Sequence, residues 1–61
     1  MDWKKAKEIM NYNYRKFEQL RANYQLLKID ALFDRFDSGE RTEYLYNEIL
    51  KLDFQPEEYG Y

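Results

Sequence analysis

The chain has 61 residues, no cysteine, no histidine and a formal net charge of −2. A chain this short forms one domain at most and buries only about 60% of the surface that it exposes when unfolded. Without cysteine it has neither disulfides nor thiolate metal sites, and without histidine it lacks the commonest metal ligand and the usual general base. Small domains usually need a disulfide, a bound metal or a partner subunit for stability. We therefore expect self-association or a partner protein to stabilise this one.

Charge is unevenly distributed along the chain. Residues 1–28 carry seven Lys and Arg against three Asp and Glu, whereas residues 29–61 carry three against nine. This asymmetry favours an antiparallel helical hairpin or head-to-tail association between chains, with mutual neutralisation of the halves as the simpler interpretation. No long apolar run and no apolar signal-peptide core occurs, so we expect no membrane span and a cytoplasmic location.

Residues 3–27 carry apolar side chains at the alternating three- and four-residue spacing of a heptad repeat. Because neither Pro nor Gly interrupts it, this spacing predicts one long helix over about 3–27 with a single apolar seam. Asp2 is expected to be its N-cap, since its carboxylate can accept hydrogen bonds from the first-turn N–H groups. The predicted seam consists of Trp3, Ala6, Met10, Asn13, Phe17, Leu20, Tyr24 and Leu27.

Asn13 is the polar exception in this seam. One interpretation is that it pairs with a symmetry mate and sets the register of an oligomer, as polar seam residues do in coiled coils. The other is that it lies at the rim of the seam while Tyr14 or Ile9 carries the packing. The second is slightly preferred, because Ile9 stands beside the seam.

The apolar stripe moves to a different helix face near residue 28. A break at 28–30, with Asp30 capping a short second helix over about 31–37, would account for the change. The residues of the second face are Leu26, Ile29, Leu32, Phe33 and Phe36.

Gly39 predicts a turn, and Asp37 or Ser38 is expected to cap a third helix over about 40–53 that Pro56 ends. The core stripe of this helix would be Leu45, Ile49 and Leu52. The chain is therefore predicted to be all-α and to fold back as a helical hairpin. It would form a single small domain over 1–54, followed by an acidic, aromatic and mobile tail over 55–61.

The sequence carries no catalytic set of residues. The serine, threonine and tyrosine hydroxyls have no histidine to act as their base. Asp30, Asp34 and Asp37 fall on one helix face, where a solvated acidic surface is preferred over a cation site. We expect a protein that is not an enzyme and that binds neither cofactor nor metal.

Protein contact is the function that the composition favours. Aromatic residues make up 20% of the chain, and seven of them are tyrosines, a residue type enriched where proteins bind one another. We expect a small adaptor or inhibitor of a larger protein, encoded by a phage or mobile element because the residue usage fits AT-rich coding. The predicted partner-binding residues are Tyr12, Tyr14, Phe17, Arg21, Tyr24, Tyr44 and Tyr46.

Two alternatives belong to other functional classes. A nucleic-acid-binding regulator would use the basic first helix and its tyrosines to contact phosphates and bases. Nucleic acid is disfavoured as a partner because the basic residues spread around the helix and the whole chain is acidic. The other alternative is a structural homo-oligomer subunit.

Overall fold

A computed structural model describes residues 1–55 of the chain. It contains three helices, α1 (Trp3–Leu20), α2 (Asn23–Asp37) and α3 (Glu43–Leu50). No strand occurs within residues 1–55, and the all-α prediction is confirmed. Residues 56–61 of the predicted tail lie outside the described part of the chain, so the division into a domain over 1–54 and a mobile tail stays a prediction.

Helix α1 begins where the sequence predicts. The Asp2 carboxylate accepts a hydrogen bond from the main-chain N–H of Lys5 at 3.0 Å, which satisfies one of the unpaired donors of the first turn. The first part of the predicted seam faces the interior. The buried residues of α1 are Ala6, Ile9, Met10, Asn13 and Phe17.

The end of α1 differs from the prediction. The helix stops at Leu20, because Arg21 adopts a left-handed conformation with φ 55°. The N–H of Ala22 then donates to the carbonyl of Phe17 at 2.9 Å, and the N–H of Arg21 donates to the carbonyl of Glu18 at 3.1 Å. These two bonds form a Schellman motif, which satisfies carbonyls at the helix end. The predicted break at 28–30 is wrong, since those residues lie inside α2.

Helix α2 therefore begins at Asn23 rather than near residue 31, and Asp30 lies in its middle. The predicted second face is correct: Ile29 and Phe36 are buried, and Leu26, Leu32 and Phe33 are half-buried. The last three residues of the predicted seam are exposed instead. The exposed fractions are 63% for Leu20, 70% for Tyr24 and 68% for Leu27.

The turn between α2 and α3 repeats the same motif. Gly39 has φ 99°, its N–H donates to the carbonyl of Phe36, and the N–H of Glu40 donates to the carbonyl of Arg35, both at 3.1 Å. The predicted turn at Gly39 is confirmed. The predicted cap is wrong, because the hydroxyl of Thr42 accepts from the N–H of Leu45.

Ser38 occupies the other side of this turn, at the end of α2. Its hydroxyl donates to the carbonyl of Arg35 at 2.8 Å. Asp37 is the last residue of α2. Both residues therefore terminate the second helix and do not begin the third.

Helix α3 is shorter than predicted and ends at Leu50, well before Pro56. Leu45 and Ile49 are buried as expected, whereas Leu52 is half-buried beyond the helix end. The main-chain groups of Phe54 bond to the side chain of Asn13 on α1, and this diverts the chain from the helical path.

One hydrophobic cluster joins the three helices. Its buried members are Ala6, Ile9, Met10, Phe36, Leu45 and Ile49. Half-buried side chains complete it, namely Trp3, Leu32, Phe33, Tyr46 and Leu52. None of the three described helices combines the length and the apolar character needed to cross a membrane.

Candidate protein-binding surface

Two of the predicted partner-binding residues on α1, the half-buried Tyr14 and the buried Phe17, pack against other aromatic rings of the protein. The ring of Tyr14 lies edge-on to Phe33, with 6.2 Å between the centroids. Phe17 is only 4% exposed, and its centroid lies 5.5 Å from that of Phe54 in a tilted arrangement. Both geometries are the ones that aromatic pairs prefer, so packing occupies much of the surface of these two rings.

Tyr46 also has an internal role. Its ring meets Trp3 edge-on at 5.2 Å between centroids, and its hydroxyl accepts a hydrogen bond from the N–H of Asp2 at 3.3 Å. These contacts connect α3 with the beginning of α1. Tyr46 is half-buried, which leaves little of its ring for a partner.

Tyr12 and Arg21 are placed differently from this packed group. Tyr12 is half-buried, and the ammonium group of Lys16 lies 5.5 Å from its ring centroid. Arg21 is exposed at the end of α1, where its main chain makes the left-handed turn. The seven predicted residues therefore do not form one continuous surface.

Tyr24 and Tyr44 are the exposed tyrosines of the predicted set, with 70% and 58% of their surface accessible. Each ring lies beside a cation of α2. The ammonium of Lys28 is 5.6 Å from the centroid of Tyr24, and the guanidinium carbon of Arg35 is 4.8 Å from that of Tyr44. These distances suit cation–π contacts, which hold the two rings at the surface in defined positions.

A groove of about 380 Å³ runs between α2 and α3. Its volume falls within the range of pockets that accept ligands, about 300–1,000 Å³. Apolar side chains of all three helices and of the segment after α3 contribute to it, together with charged side chains. The lining residues are Phe17, Gln25, Lys28, Ala31, Leu32, Arg35, Tyr44, Glu48, Lys51, Leu52 and Asp53.

The outer stripe of α2, defined as Tyr24, Leu27 and Ala31, borders this groove. The three residues are spaced by three and four positions, so they share one side of the helix, and all three are exposed. Ala31 belongs to both the stripe and the groove lining. Contiguous exposed apolar surface of this kind marks sites of protein interaction.

The heptad seam predicted that Leu27 lies in the core, whereas its side chain is exposed on the surface. The break at Arg21 changes the direction and phase of the helix before Leu27 is reached. The second apolar face of the sequence, to which Ile29 and Phe36 belong, could have indicated that Leu27 is exposed. Once Ile29 and Phe36 face inward, Leu27 must lie on the opposite side of α2, since the angular positions on a helix are fixed.

An ion pair fixes one end of the groove. Arg35 donates from Nε to Oε1 of Glu40 at 2.8 Å and from Nη2 to Oε2 at 2.7 Å. Oε2 also accepts a hydrogen bond from the hydroxyl of Thr42 at 2.6 Å. The bonds from Arg35 and Thr42 lower the pKa of the Glu40 carboxyl and, in return, the pKa of Arg35 is raised. This network links the end of α2 to the cap of α3 and positions Arg35 beneath Tyr44.

The groove carries more cations than acids. Lys28, Arg35 and Lys51 line it, against Glu48 and Asp53. Lys51 and Glu48 form an ion pair at 3.3 Å. Arg35 is likewise paired with Glu40, whereas the ammonium of Lys28 lies over the ring of Tyr24.

Within residues 1–55, no group of three or more acidic side chains is arranged to hold a metal ion. Asp30, Asp34 and Asp37 are all exposed on α2, as a solvated acidic face requires. Comparison of the chain with protein-family models, with curated proteins and with solved structures finds no significant match.

Proposed function

We propose that the chain is a small non-enzymatic protein-interaction module, which binds a larger protein through the outer stripe of α2 and the α2–α3 groove. One observation carries the proposal: Tyr24, Leu27 and Tyr44 are large and exposed, Tyr44 lines the groove, and Tyr24 and Leu27 share one side of α2 with the groove residue Ala31. Exposing them to water is unfavourable, by about 25 cal/mol for each Å² of apolar surface. A partner that covers them recovers this free energy.

The tyrosines suit such a role. A tyrosine ring offers a large and rigid contact area with a polar tip, and tyrosine is enriched among the residues that contribute most to binding. Tyr24 and Tyr44 are already held by Lys28 and Arg35. Little side-chain freedom is then lost on binding, and the entropic cost of association falls accordingly.

The expected partner segment is an acidic amphipathic helix of a larger protein. A groove between two helices accepts the apolar face of a third helix, as in other helix-in-groove complexes. The ammonium of Lys28 at the groove, which is not taken up by the Arg35–Glu40 and Lys51–Glu48 pairs, would face a carboxylate on the incoming helix, since complementary charges set its orientation. Binding of this kind, without chemistry, suits an adaptor or an inhibitor.

Site-specific photocrosslinking tests this proposal. A benzophenone amino acid replaces Tyr24, Leu27 or Tyr44 in turn, and the matched control carries it at Arg15, an exposed position on α1. Irradiation in a lysate of the native host is followed by mass spectrometry of the crosslinked species. We expect one partner protein to crosslink from all three surface positions and not from Arg15, with the crosslink mapped to an acidic helix.

Two outcomes contradict the proposal. The first is a partner that crosslinks equally well from Arg15, which would place the binding surface elsewhere. The second is crosslinking only between copies of this chain, which would support the alternative of a structural homo-oligomer. Light scattering of the purified chain distinguishes a defined multimer from a monomer.

A further inference from the structure

Asn13 uses its whole carboxamide to bind main-chain groups inside the protein. It is fully buried. Its Nδ2 donates to the carbonyl of Ile9 and to the carbonyl of Phe54, both at 2.7 Å, and its Oδ1 accepts from the N–H of Phe54 at 2.9 Å. Both interpretations drawn from the sequence are therefore wrong: Asn13 is not at a rim, and its hydrogen-bonding groups are occupied within one chain.

The pair of bonds to Phe54 recognises the main chain of a single residue. A carboxamide has one acceptor and a donor pair in a plane, so it can pair with the N–H and C=O of one residue much as a neighbouring β-strand does. Such recognition depends little on the side chain of the bound residue. Proline is the exception, because it has no N–H.

Phe17 adds the side-chain selectivity of this site. Its ring is tilted by 56° against the ring of Phe54, with 5.5 Å between the centroids. Asn13 and Phe17 are four residues apart and therefore lie on one side of α1. Together they bind the main chain of one residue through the carboxamide and an aromatic side chain through the ring.

Phe54 belongs to residues 52–55, a segment that we name the strap. It follows the end of α3 and contributes no fully buried side chain. Leu52 packs against the central hydrophobic cluster, and the side chain of Gln55 donates to the carbonyls of Leu50 and Leu52. Segments with few buried contacts open at a lower free energy than the global unfolding of the protein, which makes the strap the candidate for local opening.

We propose that Asn13 and Phe17 form a second binding site, which accepts a peptide segment carrying an aromatic residue, and that the strap occupies it as a displaceable internal ligand. This site adjoins the α2–α3 groove, because Phe17 lines the groove and the strap contributes Leu52 and Asp53 to its wall. The strap is tethered to the same chain, at an effective concentration of the order of millimolar. It therefore competes with any external segment. A partner segment with the same chemistry displaces it when its concentration or its affinity is high enough.

A peptide with the sequence of residues 51–55, acetylated, amidated and labelled with a fluorophore, is the probe. The receptor is the full 61-residue chain with Phe54→Pro. This substitution removes the main-chain N–H that donates to Oδ1 of Asn13 and also the aromatic ring, and so vacates the site. We expect this variant to bind the probe at least ten-fold more tightly than the unchanged chain does, by fluorescence anisotropy. Adding Asn13→Leu should abolish binding, and a probe with alanine in place of its phenylalanine should bind at least ten-fold more weakly.

A folded Phe54→Pro variant that does not bind the probe would overturn the proposal, as would binding that survives Asn13→Leu. Circular dichroism establishes whether the variant is folded. Native-state hydrogen exchange of the unchanged chain provides a test that needs no variant. We expect the main-chain N–H of Phe54 to exchange at least ten-fold faster than those of the buried Met10 and Ile49, whereas equal rates would mean that the strap opens only when the protein unfolds.

Discussion

Arg35 and Glu40 are joined by two parallel hydrogen bonds, of 2.8 and 2.7 Å, across the turn between α2 and α3. This bidentate geometry is the strongest form of the arginine–carboxylate contact. It connects the turn to the groove, because the same guanidinium lies against the ring of Tyr44. The Glu40 carboxylate therefore connects the turn with the position of Tyr44 on the candidate surface.

The contribution of Glu40 to stability should depend on pH. Its pKa in the folded chain is lowered by Arg35 and Thr42, so folding favours the ionised form. The stabilisation is complete above the ordinary carboxyl pKa of about 4.3 and is lost as the pH falls through the lowered pKa of the folded state. Urea denaturation at pH values on both sides of this range should show a difference between the unchanged chain and Glu40→Gln that shrinks on acidification. A difference that is constant with pH, or equal to that of the exposed Glu18→Gln control, would contradict this assignment.

Arg21→Gly should stabilise the protein. A non-glycine residue in the left-handed region costs about 1–2 kcal/mol, and Arg21 has φ 55°. Glycine removes this strain but increases the entropy of the unfolded chain, at a cost of about 0.5–1 kcal/mol, so the expected gain is up to about 1.5 kcal/mol in the free energy of unfolding. Chemical denaturation measures it. A clear loss of stability would mean that the arginine side chain contributes more than its backbone conformation costs.

Gly39→Ala should have the opposite sign. Gly39 has φ 99°, and a Cβ placed there would meet no atom within 4 Å. The backbone strain costs about 1–2 kcal/mol and the reduced entropy of the unfolded chain returns about 0.5–1 kcal/mol, so the expected loss is up to about 1.5 kcal/mol. Denaturation of this variant beside Arg21→Gly compares the two Schellman motifs directly. Equal stability of Gly39→Ala and the unchanged chain would show that the turn can relax to another conformation.

Asn13→Ala should destabilise the protein through the loss of three hydrogen bonds. Each contributes about 0.5–1.5 kcal/mol, so we expect a loss of roughly 2–4 kcal/mol in the free energy of unfolding. Asn11→Ala, an exposed position on α1, is the matched control. Thermal denaturation of the two variants compares them, and equal melting temperatures would show that the bonds to Ile9 and Phe54 add nothing to stability.

The periodicity of the sequence was sufficient to predict the helical class and most of the core. Ala6, Met10 and Phe17 face inward because a three- and four-residue spacing places them on one side of α1. Ile29 and Phe36 face inward for the same reason on α2. The inward orientation of these side chains follows from helical periodicity alone, and the spacing of apolar residues in the sequence is enough to predict it.

The end of α1 at Arg21 and the hydrogen bonds between Asn13 and Phe54 could not be predicted from the periodicity of the sequence. Arg21 adopts a conformation that residue type does not signal, since arginine usually favours the helix interior. Phe54, which bonds to Asn13, is separated from it by 41 residues, so only the tertiary fold brings the two together. The misplaced break in turn led to the assignment of Leu27 to the core.

The affinity of the crosslinked partner for Leu27→Asp tests the central claim most directly. The substitution places a charge on the outer stripe of α2, where the side chain is 68% exposed in the unbound chain, so the fold itself is little affected. We expect Kd to rise at least ten-fold, equivalent to about 1.4 kcal/mol, while Arg15→Asp on α1 changes it much less. An unchanged Kd for Leu27→Asp, with the variant folded and the control intact, would contradict binding through this surface.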